Sequence, residues 1–413
     1  MGQVRWVGWT MAIATALVIS GGRAARADVA SDKPAAILIY PKVQVDSRVT
    51  ESEETNDTVI RIANTNATTP IQVHCFYIDA NSHCSGGSND GAICTGDPST
   101  CTLGGFCVPT WQEIDFHILL TANQPLQWKA SEGLADADLP LPVGVCVRNP
   151  TRTCGSDADC NPFPGGTCTQ SNQGTRIPPV PEDPFVGELK CIAIDDNGVP
   201  VPRNDLKGEA IQEEIELAKL GASRDDFDIA SYNAIGIQAT GAAPPGATNE
   251  LVLGGPNPEY NGCPNYLILN HFFFDAENPV PHSDATIDTK LVLVPCSQDL
   301  QRQIPGSAVA QYLVFNEFEQ RFSTSKTVRC FQNIDLCNID TPDCSRSIFN
   351  VNVAGTLTGQ TRIQGVDANT TDNLGAGLLG VAFEEYSDGT DRTAAFNLHM
   401  QGARDAADRI ILP

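Results

Sequence analysis

The chain has 413 residues, of which 15 are cysteine, and carries 26 basic against 50 acidic side chains for a formal charge of −24. That length exceeds one ordinary domain. A surface so negative repels phosphate backbones and anionic lipid, which sets nucleic acid aside as a partner class.

Residues 1–27 read as a secretory signal peptide: Arg5, an apolar run from Val7 to about Ser20, then Ala25-Arg26-Ala27 as an A-x-A cleavage site before Asp28. The run is shorter than the roughly 20 residues a spanning helix needs, and no later segment is long and apolar enough to span. The mature chain is therefore expected to be soluble after export, in the periplasm, at the cell surface or in the medium. Cleavage removes Arg5, Arg23 and Arg26 and no acid, leaving 23 basic against 50 acidic residues, or −27. All 15 cysteines follow the cleavage site. Export places them where disulfides persist, so cysteine reads as cross-link before metal ligand. The odd total leaves at least one thiol unpaired or bonded to another chain.

Strand patterns begin at once. Segments 35–45, 57–65, 71–80 and 113–122 are rich in β-branched and aromatic residues and bounded by turn formers. Ile71, Val73, Cys75 and Tyr77 share one face, as do Ile114, Phe116, Ile118 and Leu120, which suits antiparallel strands with one covered side. Segment 209–221, with Ile211, Ile215 and Ala218 on one side and Gly221 as a cap, predicts the one helix. Further strand patterns at 188–195, 232–241, 265–275 and 289–296 lead to a joint near 297–308, beyond which short strands continue to Pro413. The expectation is a mainly β chain of two antiparallel Ig-like β-sandwich domains, at 28–300 and 301–413. Segments 64–79 and 323–335 both run from a Ser/Thr/Asn-rich turn into V-[HR]-C-F and end in Ile-Asp, a hint of common pattern.

Two stretches stand apart. In "CSGGSNDGAICTGDPSTCTLGGFC" (84–107) and "CVRNPTRTCGSDADCNPFPGGTC" (146–168), Cys84, Cys94, Cys101 and Cys107 match Cys146, Cys154, Cys160 and Cys168 in order, with Gly-Gly before each last cysteine. Each is far below the roughly 40 residues that fold without cross-links, metal or partners. Two bridges per unit would supply the order, at about 3 kcal/mol each for loops of this size. Four cysteines allow three pairings, which sequence does not distinguish. A structural zinc site favours shorter intervals between ligands than these. The second stretch is similar to the short C-x-S-D-x-D-C…G-G-x-C units of exported and cell-surface proteins of myxobacteria and related bacteria. "CGSDADC…GGTC" fits that pattern, whereas "CTGDPSTC…GGFC" has one more residue in the interval and Pro98-Ser99-Thr100 in place of a second acid. The resemblance covers about 50 residues and implies an exported, surface-type protein without implying any chemistry. Both units read as insertions in loops of the first domain.

Seven cysteines remain. Cys75 with Cys191 would close a loop of over a hundred residues, Cys263 and Cys296 bracket a strand, and Cys337 and Cys344 can close a small loop. Cys330 is then the free thiol, a buried and inert one if it faces a core.

Chemistry is sparse. The chain contains no G-x-S-x-G elbow, H-E-x-x-H, P-loop, dinucleotide fingerprint, C-x-x-C or C-x-x-C-H. His74, His83 and His117 are the conceivable transition-metal set, with scattered strand histidines as the alternative. Acidic clusters at 194–198, 223–228, 338–343 and 387–391 lack EF-hand register and also suit turns. No cofactor is expected, with calcium possible and Asp388 and Asp391 its first candidates. Trp111, Trp128 and Tyr260 could form a carbohydrate platform or pack inward. The sequence thus points to a non-catalytic surface, matrix or adhesion-type protein whose partner is a cell-surface or extracellular protein or glycan. The alternative is an extracellular carbohydrate-active enzyme or a carbohydrate- or calcium-binding module.

Overall fold

A computed structural model describes residues 29–48, 54–94, 100–109, 112–134, 144–146, 149–154, 168–169, 177–216, 226–241, 249–256, 258–276, 286–368, 374–387 and 391–413. The protein is mainly β and built from antiparallel sheets, as its alternating patterns predict. Residues 1–27, and with them the expected signal peptide, lie outside the described residues.

The first sandwich pairs a six-stranded sheet with a four-stranded one. The larger runs in the order Val29–Ala30, Ile235–Ile237, Ile37–Val45, Phe185–Ile194, Ile71–Asp79, Gln112–Leu120. The smaller runs Asp226–Asn233, Leu206–Glu216, Glu54–Asn64, Pro125–Lys129. Leu38, Tyr40, Val73, Tyr77 and Leu189 from the larger sheet meet Ile60, Ile62, Leu126, Trp128 and Tyr232 from the smaller in one core. The second sandwich sets a five-stranded sheet (Arg321–Arg329, Ser307–Asn316, Thr358–Asp367, Pro264–Phe272, His399–Ala403) against a four-stranded one (Gln332–Asp335, Thr286–Pro295, Leu378–Ser387, Asp391–Asn397). Sheet partners thus change between Ile237 and Glu250. The strands Pro264–Phe272 and Thr286–Pro295, which the sequence groups with the first half, pair within the second.

The two halves share a core. The reverse face of the six-stranded sheet, through Ile37, Ile39, Phe76, Ile78, Ile192 and Ile194, packs on Leu251, Leu253 and Ile410 of a small sheet and on Val294 and Leu379. That small sheet joins Glu250–Leu253, Asp408–Ile411 and Gln298–Asp299, the last pair parallel. The central strand Phe185–Ile194 is therefore buried on both sides, and it carries Glu188 and Lys190 into a fully enclosed place. Lys190 Nζ donates to Glu188 Oε1 at 2.8 Å and to the Pro295 carbonyl at 3.4 Å, while Gln298 Nε2 donates to the same Glu188 oxygen. Burial raises the Glu188 carboxyl and lowers the Lys190 amine, and their mutual attraction opposes both shifts. At the edges, Asp226–Asn233 lies alongside Asp391–Asn397. Here Asn397 Oδ1 accepts from Asn233 N at 3.1 Å and Asn397 Nδ2 donates to Asn233 O at 2.7 Å.

The helix expected at 209–221 is a strand in its described part, Leu206–Glu216, hydrogen-bonded on both sides to Glu54–Asn64 and Asp226–Asn233. A spacing of four, as between Ile211 and Ile215, keeps residues together on a strand as well as on a helix. Pairing on two sides then overrides helix propensity. Gly208 marks the close approach, since a Cβ there would lie 2.0 Å from the Tyr40 hydroxyl. The α-helix among the described residues is Val351–Ala354, capped by Asn350 and ended by Gly355 at φ +74°.

Five disulfides join described cysteines: Cys75–Cys191, Cys84–Cys101, Cys94–Cys107, Cys263–Cys296 and Cys337–Cys344. Cys75 and Cys191 are direct cross-strand partners in the six-stranded sheet, and their bridge spans 116 positions. Restricting so long an unfolded loop is worth about 5 kcal/mol in the chain-entropy view. Cys330 is the unbonded cysteine among the described residues, at φ +63°, and burial raises its thiol well above the ordinary range.

The two cysteine units are three-stranded miniatures of one plan. Ser82–Ser85 pairs with Ile93–Cys94 and Phe106–Pro109, and Gly144–Cys146 pairs with Asn149–Cys154 and Cys168–Thr169. Cys84 faces Cys107 and Ser82 faces Cys94; correspondingly Cys146 faces Cys168 and Gly144 faces Cys154. The first unit bonds its first cysteine to its third and its second to its fourth. Cys160 and the side chains of Cys146, Cys154 and Cys168 lie outside the described residues. The shared register predicts the same order for them, which non-reducing peptide mapping checks.

Removing one partner of the enclosed pair should cost far more than removing both. Lys190→Met is expected to destabilise by about 3–5 kcal/mol, because Glu188 is left without its counter-charge. Replacing Glu188 and Lys190 together by methionine should return denaturation under non-reducing conditions close to the parent's.

Candidate functional site

The first cysteine unit is clamped from within. Cys84, Cys94 and Cys101 pack together, Asn89 Nδ2 donates to Thr100 O at 2.8 Å, and Asn89 Oδ1 accepts from Thr102 N at 2.9 Å. Gly105 has no room for a side chain, since a Cβ would lie 2.4 Å from Gly86 O. This is the physical reason for a glycine ahead of the last cysteine. The turn so formed holds Leu103 at φ +54°, a conformation that costs a branched side chain strain. It leaves Leu103 85% and Phe106 72% exposed. The unit uses sulfur where a domain would use grease, and it displays two of its three large apolar side chains, with Ile93 half-buried.

At its stem, three segments converge. Asp79 ends the strand Ile71–Asp79 and is 1% exposed, His83 precedes Cys84, and Glu182 precedes the strand Phe185–Ile194. Asp79 Oδ1 accepts from Asn81 N at 2.9 Å. Asn81 Nδ2 donates to Glu182 Oε1 at 2.6 Å and to Pro184 O at 2.8 Å, and His83 Nε2 lies 2.9 Å from Glu182 Oε2. One ligand atom each from Asp79, His83 and Glu182 lie within 4.8 Å of one another. Burial pushes the Asp79 carboxyl up to about 8, with Glu182 reinforcing the shift. Glu182 is held below its ordinary value: burial opposes this, but hydrogen bonds from Asp79, Asn81 and His83 together prevail.

The histidine trio that the sequence leaves conceivable does not converge. His74 and His117 are cross-strand partners stacked at 4.1 Å, with His74 Nε2 2.8 Å from Asp115 Oδ2, whereas His83 turns to Glu182. Asp115 is lowered chiefly by its bond to His74, and His117 is lowered by burial and by His74. Glu113, next in the same row, is raised to about 7 by burial and by Asp115. Of the calcium candidates, Asp388 and the side chain of Asp391 lie outside the described residues. Elsewhere the acids serve turns: Asp195 Oδ1 accepts from Asn197 N and Val199 N, and Asp340 accepts from Ser347 and Ile348. Trp128 and Tyr260 are buried, with Trp128 Nε1 donating to Tyr77 at 2.6 Å, so neither contributes to an exposed sugar platform. Trp111 lies outside the described residues.

Two grooves are described. One of about 510 Å³ is lined by Arg61, Gln127, Lys207, Glu209 and Asn233, with Arg61 bonded to Glu209 at 3.2 Å. The other, about 420 Å³, holds His271, Glu317, Thr358 and Glu384. Burial lowers His271 to about 4, and its ring bonds Thr361 and the Phe272 carbonyl. In the second groove Thr358 Oγ1 donates to Glu317 Oε1 at 2.7 Å, and that bond with the one from Thr358 N holds the exposed Glu317 carboxyl below its ordinary value, which makes it a weak base.

No family model matches the chain. A dihydroorotase of Trichlorobacter lovleyi is 30% identical over 141 residues, covering 30% of this chain and 30% of that one. A tip adhesin of Pseudomonas aeruginosa, CupB6, aligns over 92% of both chains at 11% identity and a TM-score of 0.11, a superposition from which nothing about fold or role follows.

Glu113 sets a pH dependence of known sign. A carboxyl raised from 4.5 to about 7 keeps its proton in the folded chain where the unfolded chain has lost it. Its stabilising contribution is complete below about pH 4.5 and is lost as pH rises through about 7. Glu113→Gln is therefore expected to flatten the fall in melting temperature between pH 5 and pH 7.5; an unchanged slope would remove Glu113 from the account.

Proposed function

We propose that this chain is an exported, non-catalytic surface, matrix or adhesion-type protein that binds through the cysteine-unit end of its first sandwich. The supporting observation is the tip of the first unit, where a doubly bridged turn presents Leu103 and Phe106 to solvent. Large apolar side chains already held outward bury their surface with little loss of ordering entropy when they dock. The five bridges support residence in an oxidising compartment. No helix among the described residues is long and apolar enough to cross a membrane. Ligand contacts concentrate on loops held by a rigid scaffold, and both units are such loops on one sandwich. The partner class this supports is a cell-surface or extracellular protein or glycan.

Two measurements test the reading. Fractionation of producing cells should find the mature chain, beginning at Asp28, outside the cytoplasm. Beads coated with the purified full chain should be retained on cells of the producing organism, and Leu103→Ser with Phe106→Ser should lower retention at least tenfold without shifting the melting temperature. Equal retention by the double variant would rule out the tip as the binding surface.

A further inference from the structure

The geometry points to a site for a first-row divalent cation, zinc by its donor set, formed by Asp79, His83 and Glu182 at the stem of the first cysteine unit. Three independent observations meet there. The ligand atoms of the three residues lie within 4.8 Å of one another, although they come from positions up to 103 residues apart. Asp79 is 1% exposed, its Oδ1 is fixed by Asn81 N, and no N–H or hydroxyl donor reaches its Oδ2. Asn81 also fixes Glu182 by a 2.6 Å bond to Oε1, leaving Oε2 on His83 Nε2. Ionised together, these two buried carboxylates would repel; without a cation Asp79 holds a proton on Glu182, and a cation between them takes that proton's place and meets the oxygen no donor reaches.

The donors select the ion. One imidazole nitrogen with two carboxylate oxygens is a zinc-type set with a fourth position to be filled by water. Calcium takes six to eight oxygens and has little use for a nitrogen. Two other groups of potential ligands, Cys84 with Cys94 and Cys101, and Cys263 with Cys296 and Asp408, have their sulfurs committed to disulfides and offer no thiolate. A cation on Asp79, His83 and Glu182 ties the end of a sheet strand, the first strand of the unit and the chain re-entering the sandwich at a single point. Its role is to fix how the unit stands on the sheet. The inference does not depend on the adhesion reading, because cation binding and cell retention are measured separately.

The test uses the full, disulfide-intact chain without a histidine tag, stripped by chelator and titrated calorimetrically with zinc, manganese or calcium chloride. About one equivalent of zinc should bind at micromolar affinity or tighter, with calcium at least a hundredfold weaker and the melting temperature raised. Asp79→Asn and Glu182→Gln relieve the repulsion and should fold without metal. Each should weaken zinc at least tenfold, as should His83→Gln, while His399→Ala should not. With cobalt as the probe, a visible absorption band should appear and be lost in His83→Gln. Absence of stoichiometric binding, or affinity unchanged in the folded Asp79 and Glu182 variants, overturns the site.

Discussion

The enclosure of one sheet on both faces governs this molecule. Because the Phe185–Ile194 strand has apolar material above and below it, the two sandwiches are joined through a common wall. Val292, Val381 and Phe383 from the second half complete the first core. The enclosed Glu188–Lys190 pair sits in that wall, and its remaining partners, Gln298 and the Pro295 carbonyl, belong to the second half. An ion pair so deep is a poor source of net stability, but each charge penalises any arrangement in which the other half is absent or displaced. The joint is thereby specified as well as filled.

On that rigid base the cysteine units are free to be small. Burial of grease scales badly below a few dozen residues, and covalent closure replaces it. The consequence runs through the local chemistry: glycine at 105 because backbones touch, Asn89 because the turn needs an internal acceptor and donor, and Leu103 in a left-handed conformation because the bridges hold the loop there. Stem and tip divide the work. The stem gathers charge in a buried place, and the tip exposes apolar surface on a clamped turn.

Much of the fold was legible in alternation. The strands at 71–79 and 112–120 fall where period-two patterns put them, whereas the alternating Phe349, Val351 and Val353, read as part of a strand, lead into the short helix Val351–Ala354. The segment 209–216 was not legible, because its apolar spacing of four satisfies helix and strand alike and only the flanking ladders decide. The change of sheet partners after Ile237 was hidden for a related reason: pairing is non-local, and a strand's own residues do not name its neighbour. The stem cluster was half visible. His83 stood out as one of six histidines, but Glu182 lay inside a proline-rich stretch that looked like mere connection, 99 residues away. A carboxylate placed just before a central buried strand is the signal that would have found it. Trp128 and Tyr260 went the other way, aromatic in a manner that suits display and yet packed inside.

Where the two four-stranded sheets abut, the side chain of Asn397 completes both backbone bonds that Asn233 would otherwise offer to a stranger. Those margins are thereby withdrawn from strand exchange. Two of the edges that remain are guarded differently: Gln112–Leu120 carries Glu113, Asp115 and His117, and Arg321–Arg329 turns arginines and hydroxyls outward. Such rims resist adding a further strand from a neighbouring molecule. At high local concentration these edges therefore disfavour growth of the sheets from one molecule into the next.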